Sequence, residues 1–320
     1  MMRRMKPTLT AARVAVVSGK GGVGKTTVAT ALAVAAARRG REILLTELED
    51  REAFAPLFGL ERLGYIEKPL ERNIRGMTVE ADEALVEYLR LFYGIPKISR
   101  ALIRSKAVEF ATHTAPGLKD ILLIGKVKQS ESDRVDGRFR HDMVIVDAPP
   151  TGRLPRFLDA PRAITELVGA GPIRRQAGGV NDMIMDASRL QVILVTLPEE
   201  MPVQETLEAA ETLRKMGVAL GPVVVNNMLA SPKRLGRDAA DTLLRQAQEA
   251  GLAIGDDAIE ALIAVSRERT HRARNQHSAI RPLRDGLDLP IVELPALPAA
   301  GLTRRHIDQL ADVLKGSGAL

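Results

Sequence analysis

A glycine-rich stretch near the start of the chain holds the side chains best suited to chemistry. Residues 18–27 read SGKGGVGKTT and contain the spacing Gly19-x4-Gly24-Lys25-Thr26, the phosphate-binding P-loop pattern. Glycines let the backbone turn its N–H groups onto phosphate oxygens, the lysine neutralises the β- and γ-phosphates, and the threonine hydroxyl binds Mg²⁺. We expect nucleotide contacts from every residue of the loop: Gly19, Lys20, Gly21, Gly22, Val23, Gly24, Lys25, Thr26 and Thr27.

A second candidate is the aspartate that ends another apolar run. Asp147 closes the sequence MVIVD and is followed by APPTGR. A P-loop site needs a carboxylate at a strand end to hold Mg²⁺ through water, and we expect Asp147 to supply it. Gly152, in the loop that follows, could bring a backbone N–H close to the γ-phosphate. The alternative for Asp147 is a helix cap, but the apolar run before it favours the metal role.

These residues must be positioned by the elements around them. Residues 13–17, before the P-loop, form a short apolar run that predicts a buried strand, and the alanine-rich residues 27–39 predict a helix that ends near Gly40. Such a helix points its positive N-terminal end at the bound phosphates. A fortuitous glycine-rich turn is the alternative, and the flanking strand and helix argue against it.

Strand and helix patterns alternate along the whole chain. Further strands are predicted at residues 41–48, 76–81, 141–147, 190–196, 222–226 and 290–294. This alternation predicts an α/β fold with a doubly wound, mostly parallel sheet of about seven or eight strands and helices on both faces. Because ligands bind beyond the carboxyl ends of parallel strands, we expect the P-loop, Glu49, Asp147 and Asn226 to converge on one edge of the sheet.

Two helical stretches interrupt this alternation, at about residues 82–140 and 155–189. We interpret the chain as a single P-loop domain, residues 1–320, in which these insertions form a helical subdomain at the ligand-binding edge. Within them we expect a helix at residues 97–110 and a polar turn at residues 130–138. Residues 161–189 predict a mixture of helix and glycine-rich loop, with Gly169, Gly171, Gly178 and Gly179 in the loop.

The composition excludes several classes of protein. The chain has 320 residues, of which 45% are hydrophobic and 3% aromatic, so it can bury a sizeable aliphatic core. It has no cysteine, which excludes disulfides, thiol catalysis and cysteine-ligated zinc or iron–sulfur centres, and which suits the cytoplasm. The first apolar stretch is too short for a signal peptide, and no window approaches the ~20 apolar residues of a membrane span.

The net charge is +6, from 46 basic and 40 acidic residues, and the basic residues cluster at residues 267–284. A DNA-binding or membrane-binding patch is one interpretation of this cluster. In proteins that stack nucleic-acid bases, aromatic side chains alternate with the basic residues. This cluster contains no aromatic side chain. We therefore interpret the region as the solvated face of a helix and do not expect nucleic acid to be a partner.

Longer motifs carry a resemblance to a known family. GKGGVGKTT resembles the deviant P-loop group, and together with DAPPTGR it resembles the arsenite-pump ATPase (ArsA) family, which includes the cytosolic ATPase of the guided entry of tail-anchored proteins. Four other stretches resemble segments of that family, from about residue 13 to residue 315: MTVEADEALVEY, APGLKD, VVVNNML, and LPALP with the later GLT. The resemblance implies a cytoplasmic, dimeric P-loop ATPase that uses ATP and Mg²⁺.

The resemblance also implies roles for residues outside the phosphate site. Lys20, the second residue of the loop pattern, would reach across a dimer interface to the nucleotide of the other subunit. Asn226 would hydrogen-bond the adenine, and Pro295 would lie in the last loop that contacts the base. The catalytic set implied in this way includes both lysines of the loop, Lys20 and Lys25.

The third member of that set is the carboxylate that orients the attacking water. The resemblance places it after the second strand, at Glu49, where the family has aspartate; Glu47 and Asp50 are the alternatives. Glutamate is longer by one methylene, so we expect looser geometry and slow hydrolysis. A second departure is Arg153, which stands where the family has histidine.

The resemblance implies an ATPase switch that couples its nucleotide state to a partner. The dimer would be a homodimer or a heterodimer with a paralogue, and the partner would be a hydrophobic client helix or a membrane protein. Ordinary packing of the helices onto the sheet is the alternative to a client groove. The absence of cysteine argues against an arsenite-pump subunit and against a Cys-x-x-Cys zinc site. A positioning ATPase of the ParA/MinD kind, which binds DNA or membrane, is the alternative function.

Overall fold

The structure is a computed structural model that describes residues 12–49, 53–93, 117–230, 237–251, 255–297 and 301–318. Two expectations from the sequence, the helix at residues 97–110 and a role for Asp50, lie outside the described residues. The other predicted strands, helices and site residues lie mostly within the described residues.

The strands of the described residues are, in chain order, β1 (Val14–Gly19), β2 (Ile43–Leu48), β3 (Lys68–Glu71), β4 (Ile74–Val79), β5 (Arg134–Val135), β6 (Arg138–Phe139), β7 (Met143–Asp147), β8 (Leu190–Thr196), β9 (Leu220–Met228) and β10 (Ile291–Pro295). Eight of them form one sheet in the order β10-β9-β8-β1-β7-β2-β4-β3. Neighbouring strands are parallel except for β3, which runs antiparallel to β4. The predicted α/β fold with a mostly parallel sheet of seven or eight strands is confirmed.

The helices are, in chain order, α1 (Lys25–Ala37), α2 (Ala81–Tyr93), α3 (Leu118–Ser132), α4 (Leu154–Leu167), α5 (Pro172–Met185), α6 (Glu200–Lys215), α7 (Arg237–Glu249), α8 (Asp256–Ala279), α9 (Arg281–Gly286) and α10 (Arg304–Gly316). Side chains of α1 and α10 bury one face of the sheet, and side chains of α2 to α6 and α9 bury the other. The central strands are therefore covered on both faces, which explains why they read as continuous apolar runs.

The prediction of a glycine-rich loop is correct for Gly169 and Gly171, which lie between α4 and α5, and wrong for Gly178 and Gly179, which lie inside α5. Ala177, Val180 and Met183 in the same helix are fully buried at helical spacing. Packing of this apolar stripe outweighs the roughly 1 kcal/mol that a glycine costs in a helix interior. Local composition indicated a loop here, but burial of the apolar stripe stabilises a helix instead.

The polar turn expected at residues 130–138 is shorter than predicted. Helix α3 continues to Ser132, and β5 and β6 then form a two-stranded hairpin. The turn itself consists of Asp136 and Gly137, with φ angles of 51° and 78°. An Asp-Gly pair with both φ angles positive is typical of a tight hairpin turn, so this dipeptide was the signal for the hairpin.

The carboxyl ends of β1, β2, β7 and β9 lie at the same edge of the sheet, because these strands run parallel. Asp147, the last residue of β7, pairs in register with Val17 of β1 and with Glu47 of β2. The P-loop follows β1, and Asn226 lies near the end of β9. Helices α2 to α5 fall within the two predicted insertions, and their assignment to a subdomain stays a prediction. Within the described ranges, no helix is both long and apolar enough to cross a membrane.

Candidate functional site

The P-loop connects β1 to α1 through a backbone that only glycine accommodates at two positions. A Cβ at Gly19 would collide with the backbone carbonyl oxygen of Val195 in β8. Gly24, with a φ of 91°, lies immediately before α1, and a Cβ there would collide with the side chain of Asn226. Among the described residues no side chain caps α1, so the first N–H groups of the helix have no side-chain acceptor. The start of a helix with unpaired N–H groups is suited to an anion, and the contacts of this loop with phosphate stay predictions.

The two loop side chains with predicted phosphate and metal roles lie at the start of α1. Lys25 is buried, and its Nζ donates a hydrogen bond of 3.0 Å to the carbonyl oxygen of Lys20, so it is folded over the loop. The hydroxyl of Thr26 donates a hydrogen bond of 2.6 Å to Oδ2 of the fully buried Asp147. Hydroxyl and carboxylate oxygens are ligands that Mg²⁺ prefers, so the donor set fits that ion. The metal roles of Thr26 and Asp147 stay predictions.

A second buried carboxylate lies beside Asp147. Glu47 is fully buried in β2, in register with Asp147 and on the same face of the sheet, because paired residues of parallel strands share a face. Its Oε1 accepts a hydrogen bond of 3.1 Å from the backbone N–H of Ala53, which ties the end of β2 to the chain that follows. Glu47 is therefore placed inside the sheet and not in the loop beyond it.

Glu49 is the first residue after β2, and it is half-buried in a strained backbone position. Its φ of 65° is uncommon for a residue with a side chain. Its carboxylate Oε1 lies 2.9 Å from Nζ of Lys119 and 3.0 Å from Nη1 of Arg153. Burial would raise the pKa of Glu49, but the hydrogen bonds and charges of Lys119 and Arg153 outweigh burial and lower the pKa below its ordinary value.

Lys119 is a neighbour that sequence reasoning did not select as part of the site. It lies in the first turn of α3 together with Asp120, whose Oδ1 accepts a hydrogen bond of 2.7 Å from Nη2 of Arg153. These contacts span 70 residues in the case of Lys119 and Glu49, so no local pattern could have indicated them. Lys119 and Asp120 lie in the stretch APGLKD, and Arg153 ends DAPPTGR, so the motifs contained these residues but did not indicate that they meet at Glu49.

The loop after Asp147 is attached to the start of the P-loop. The hydroxyl of Ser18 donates a hydrogen bond of 2.6 Å to the carbonyl oxygen of Pro149, and the N–H of Thr151 donates one of 3.2 Å to the carbonyl oxygen of Gly19. Gly152 is exposed, with open space where a Cβ would lie. Packing does not require glycine there, and its predicted contact with the γ-phosphate stays a prediction.

Lys20 contacts its own chain in this structure. Its Nζ lies 2.5 Å from Oε1 of Glu205 in α6, and both side chains are partly exposed. This contact does not test the predicted role of Lys20 at a second subunit, which stays a prediction.

The two residues predicted to contact the base lie on neighbouring strands. The amide Nδ2 of Asn226 donates a hydrogen bond of 3.0 Å to the carbonyl oxygen of Val23, so this side chain also supports the P-loop. Pro295 ends β10, which pairs with β9, and lies opposite Met228. Both residues thus lie on the β9–β10 side of the P-loop, and their contacts with adenine stay predictions.

Comparison with known proteins shows which family the chain is similar to. The model of the anion-transporting ATPase family matches residues 12–178 and 172–239. ATPase BagA of Mycobacterium tuberculosis is 36% identical, over 97% of this chain and 94% of its own length. Putative arsenical pump-driving ATPase 2 of Aquifex aeolicus is 24% identical over 68% of this chain and 80% of its own length, and ATPase GET3B of Arabidopsis thaliana is 25% identical over 66% and 63%.

The family match covers the P-loop, the buried carboxylates Glu47 and Asp147, and the strand of Asn226. The similarity to BagA extends over almost the whole of both chains, so it includes the helices beyond the matched family model. The resemblance that the motifs suggested is confirmed. The chain belongs to the anion-transporting ATPase family and is a nucleotide-binding ATPase.

Proposed function

We propose that this ATPase is a cytoplasmic dimeric switch that binds ATP with Mg²⁺ and passes its nucleotide state to a hydrophobic client or a membrane-protein partner. The hydrogen bond between Thr26 and Asp147 is the observation that supports the phosphate site most directly. It brings the hydroxyl at the start of α1 and the carboxylate at the end of β7 to one point beside the P-loop.

The chain's own residues would divide the hydrolysis chemistry between them. Lys25 would neutralise the β- and γ-phosphates, and Mg²⁺ held by Thr26 and Asp147 would supply further positive charge to their oxygens. Glu49 would orient the attacking water. Phosphoryl transfer to water requires positioning and charge neutralisation more than covalent help, and these side chains are of the types that supply both.

A dimer is part of the proposal because of Lys20. The nucleotide-bound state would release Lys20 from Glu205 and let it contact the triphosphate of a second subunit, either an identical chain or a paralogue. To reach a phosphate of another subunit, the Lys20 side chain would have to extend away from its own chain, where its ammonium now lies 2.5 Å from Glu205. Nucleotide binding and subunit association would therefore be coupled.

A client would contact the helices on one face of the sheet. A cavity of about 370 Å³ lies between α2, α3 and α5, and its walls are mostly apolar, with Leu85, Tyr88, Leu118, Ile121, Ile173 and Val180 among them. This volume is at the lower end of the roughly 300–1,000 Å³ typical of ligand pockets, so it fits a few side chains and not a whole helix. Leu91, at its edge, is 57% exposed. Apolar surface in this position supports contact with a hydrophobic partner.

The proposal is tested by measuring ATP binding, hydrolysis and molecular mass on the same preparation. We expect Mg²⁺-dependent ATP hydrolysis that Lys25→Ala abolishes, and a doubled mass by light scattering when Glu49→Gln is saturated with ATP and Mg²⁺. A peptide with an apolar helix should then be protected from protease by the ATP-bound form. A mass that stays that of one chain with ATP would contradict the switch. An unprotected peptide would indicate that the helices only pack onto the sheet.

Two alternatives have distinct outcomes in the same preparation. A positioning ATPase would bind DNA or vesicles only with ATP, and its DNA binding would weaken steeply with salt. An arsenite-pump subunit would hydrolyse ATP faster with arsenite. We expect neither result, because the chain has no cysteine to bind arsenite, and because its basic residues at 267–284 lack aromatic partners.

A further inference from the structure

Three separate elements bring charged side chains together at the Glu49 carboxylate. Glu49 follows β2, Arg153 lies between β7 and α4, and Lys119 and Asp120 belong to the first turn of α3. Lys119 and Arg153 contact the same carboxylate oxygen of Glu49, Oε1, at 2.9 and 3.0 Å. The other terminal nitrogen of Arg153 contacts Asp120 at 2.7 Å. A single guanidinium therefore bridges carboxylates from two different elements.

The bridge has the features of a positioning device. The side chain of Asp120 is only 9% exposed, so it is a fixed anchor and not a freely rotating surface group. A guanidinium is planar and rigid, so holding one nitrogen on Asp120 also fixes the direction of the nitrogen that faces Glu49. Most other ion pairs in the described part of the chain are more exposed, for example the pair of Arg162 and Asp159.

We infer that Arg153 is a positioning residue for ATP hydrolysis. Anchored by Asp120, it holds Oε1 of Glu49 and leaves Oε2 to accept a hydrogen bond from the attacking water. Among the described residues, the hydrogen bonds to this carboxylate all end on Oε1. The inference rests on the proposed role of Glu49.

The length of the Glu49 side chain explains why its carboxylate needs the contact with Arg153. Glutamate has one more rotatable bond than aspartate, so its carboxylate samples more orientations unless something restrains it. Burial of part of Glu49 restricts it incompletely, since its side chain is 27% exposed. Two cations on one oxygen remove the remaining freedom, which compensates for the longer side chain.

Helix α3 extends the bridge toward the cavity. Its first turn carries Lys119 and Asp120, and its next residues, Ile121, Leu122 and Gly125, line the cavity wall. A shift of this one helix would move the anchor of Arg153 and the cavity wall together. The bridge is thus a physical path between the surface proposed for a client and the carboxylate proposed for hydrolysis.

The test is a double-mutant cycle between Asp120 and Glu49, measured by single-turnover ATP hydrolysis. Asp120 does not touch Glu49, so a loss caused by Asp120→Asn acts indirectly, either through Arg153, which contacts both carboxylates, or through Lys119, its neighbour in the first turn of α3. The Arg153→Lys variant described below separates these two routes. We expect Asp120→Asn to slow hydrolysis on the order of tenfold, as misplacement of a reacting group does, while ATP affinity stays within about twofold. In the Glu49→Gln background the same change should slow hydrolysis by less than about twofold.

Two further variants separate positioning from structural damage. Asp159→Asn breaks the pair of Asp159 with Arg162, which has the same 2.7 Å distance but lies away from Glu49, and it should leave hydrolysis unchanged. Arg153→Lys keeps the charge at a partly exposed position but replaces the rigid guanidinium with a single ammonium nitrogen. It therefore cannot hold the two carboxylates in the present fixed geometry and should slow hydrolysis as much as Asp120→Asn does. If Asp120→Asn lowers the melting temperature sharply, Arg153→Lys carries the test.

The outcomes distinguish this inference from the proposed function. Equal losses from Asp120→Asn in the Glu49 and Glu49→Gln backgrounds would overturn the inference, and so would unchanged hydrolysis in both Asp120→Asn and Arg153→Lys. The proposed function would stand in either case, provided that hydrolysis by the unaltered chain depends on Lys25. Loss of that dependence would instead remove the proposed function.

Discussion

The hydroxyl of Thr26 and the carboxylate of Asp147 lie 2.6 Å apart, and their hydrogen bond joins the first turn of α1 to the end of β7. The two residues are separated by 121 positions in the sequence, and the parallel pairing of β1 with β7 brings them together. The strand order of the sheet is therefore what assembles the proposed Mg²⁺ site. Each end of the contact belongs to a rigid element, so its geometry does not depend on a loop.

Removal of the Thr26 hydroxyl should weaken Mg²⁺ binding without unfolding the chain. Thr26→Val keeps the size of the side chain and deletes the proposed ligand, so we expect the Mg²⁺-dependent part of ATP affinity to fall by at least about tenfold. Thr30→Val is the matched control, because Thr30 lies one turn further along α1 and its hydroxyl bonds only to the carbonyl oxygen of Thr26. Titration of Mn²⁺ by electron paramagnetic resonance measures the metal directly. Equal metal affinity in both variants would argue against the site.

Release of Lys20 from Glu205 should favour the dimer. The pair is partly exposed, and such pairs contribute about 0–1 kcal/mol, so Glu205→Gln should strengthen ATP-dependent association by no more than about fivefold. Lys20→Ala should abolish association while ATP still binds. Glu211→Gln breaks an exposed pair with Lys215 on the same helix and should change nothing. Analytical ultracentrifugation with ATP measures the association of each of these variants. ATP-dependent association of the Lys20→Ala variant would refute the proposed role of Lys20.

The surroundings of Glu49 predict how hydrolysis depends on pH. Its pKa is lowered in the folded chain, so the carboxylate is ionised throughout the neutral range and hydrolysis should show no acid limb from Glu49 above the ordinary carboxylate range. Lys119→Met removes one of the two cations and leaves the burial, so the pKa should rise and the acid limb should move toward neutral pH. Lys119→Arg keeps the charge and should restore the original profile.

The same shift in pKa has a consequence for stability. A carboxylate with a lower pKa in the folded state than in the unfolded state stabilises the fold above the unfolded-state pKa, and this stability is lost as the pH falls through the folded-state pKa. Lys119→Met should therefore lose less stability than the unaltered chain when the pH falls from neutral to acidic values. Thermal melts at several pH values measure this difference. A parallel loss in both chains would show that Lys119 does not shift the pKa of Glu49.

Apolar runs and the P-loop spacing made the centre of the fold predictable. β1, β7 and β8 are buried on both faces, so their sequences carry a strong signal. β3 was missed because it is a short antiparallel edge strand, KPLE, with a proline and partly exposed side chains.

The site could be predicted only as far as its motifs extend. Thr26, Asp147 and Asn226 lie in patterns that also indicate a role, whereas no pattern indicated which residues contact Glu49 and Lys20. The contacts of Asp120 and Glu205 have no local signature, because each comes from the packing of a helix 33 or 185 residues away from its partner. The hydrogen bond from Asn226 to Val23 was likewise hidden, since it depends on how β9 lies beside the P-loop.

A larger side chain at Gly125 should block the cavity and leave the nucleotide site intact. Gly125 lies in α3 and lines the cavity, with open space where a Cβ would lie. Gly125→Leu should fill part of the roughly 370 Å³ and should stabilise α3 as well, since leucine is better than glycine in a helix interior by up to about 1 kcal/mol. We expect protection of an apolar peptide to be lost and ATP affinity to be retained.

Gly178→Leu is the matched control for this variant. Gly178 is also an interior helix glycine with open space around it, in α5, but it is not among the residues that line the cavity. It should gain similar helix stability and keep peptide protection, so any difference between the two variants reports on the cavity itself. If the peptide is still protected by Gly125→Leu, the client binds somewhere other than the cavity. If protection is lost in both variants, a larger side chain in either helix disturbs peptide binding, and the loss is not specific to the cavity.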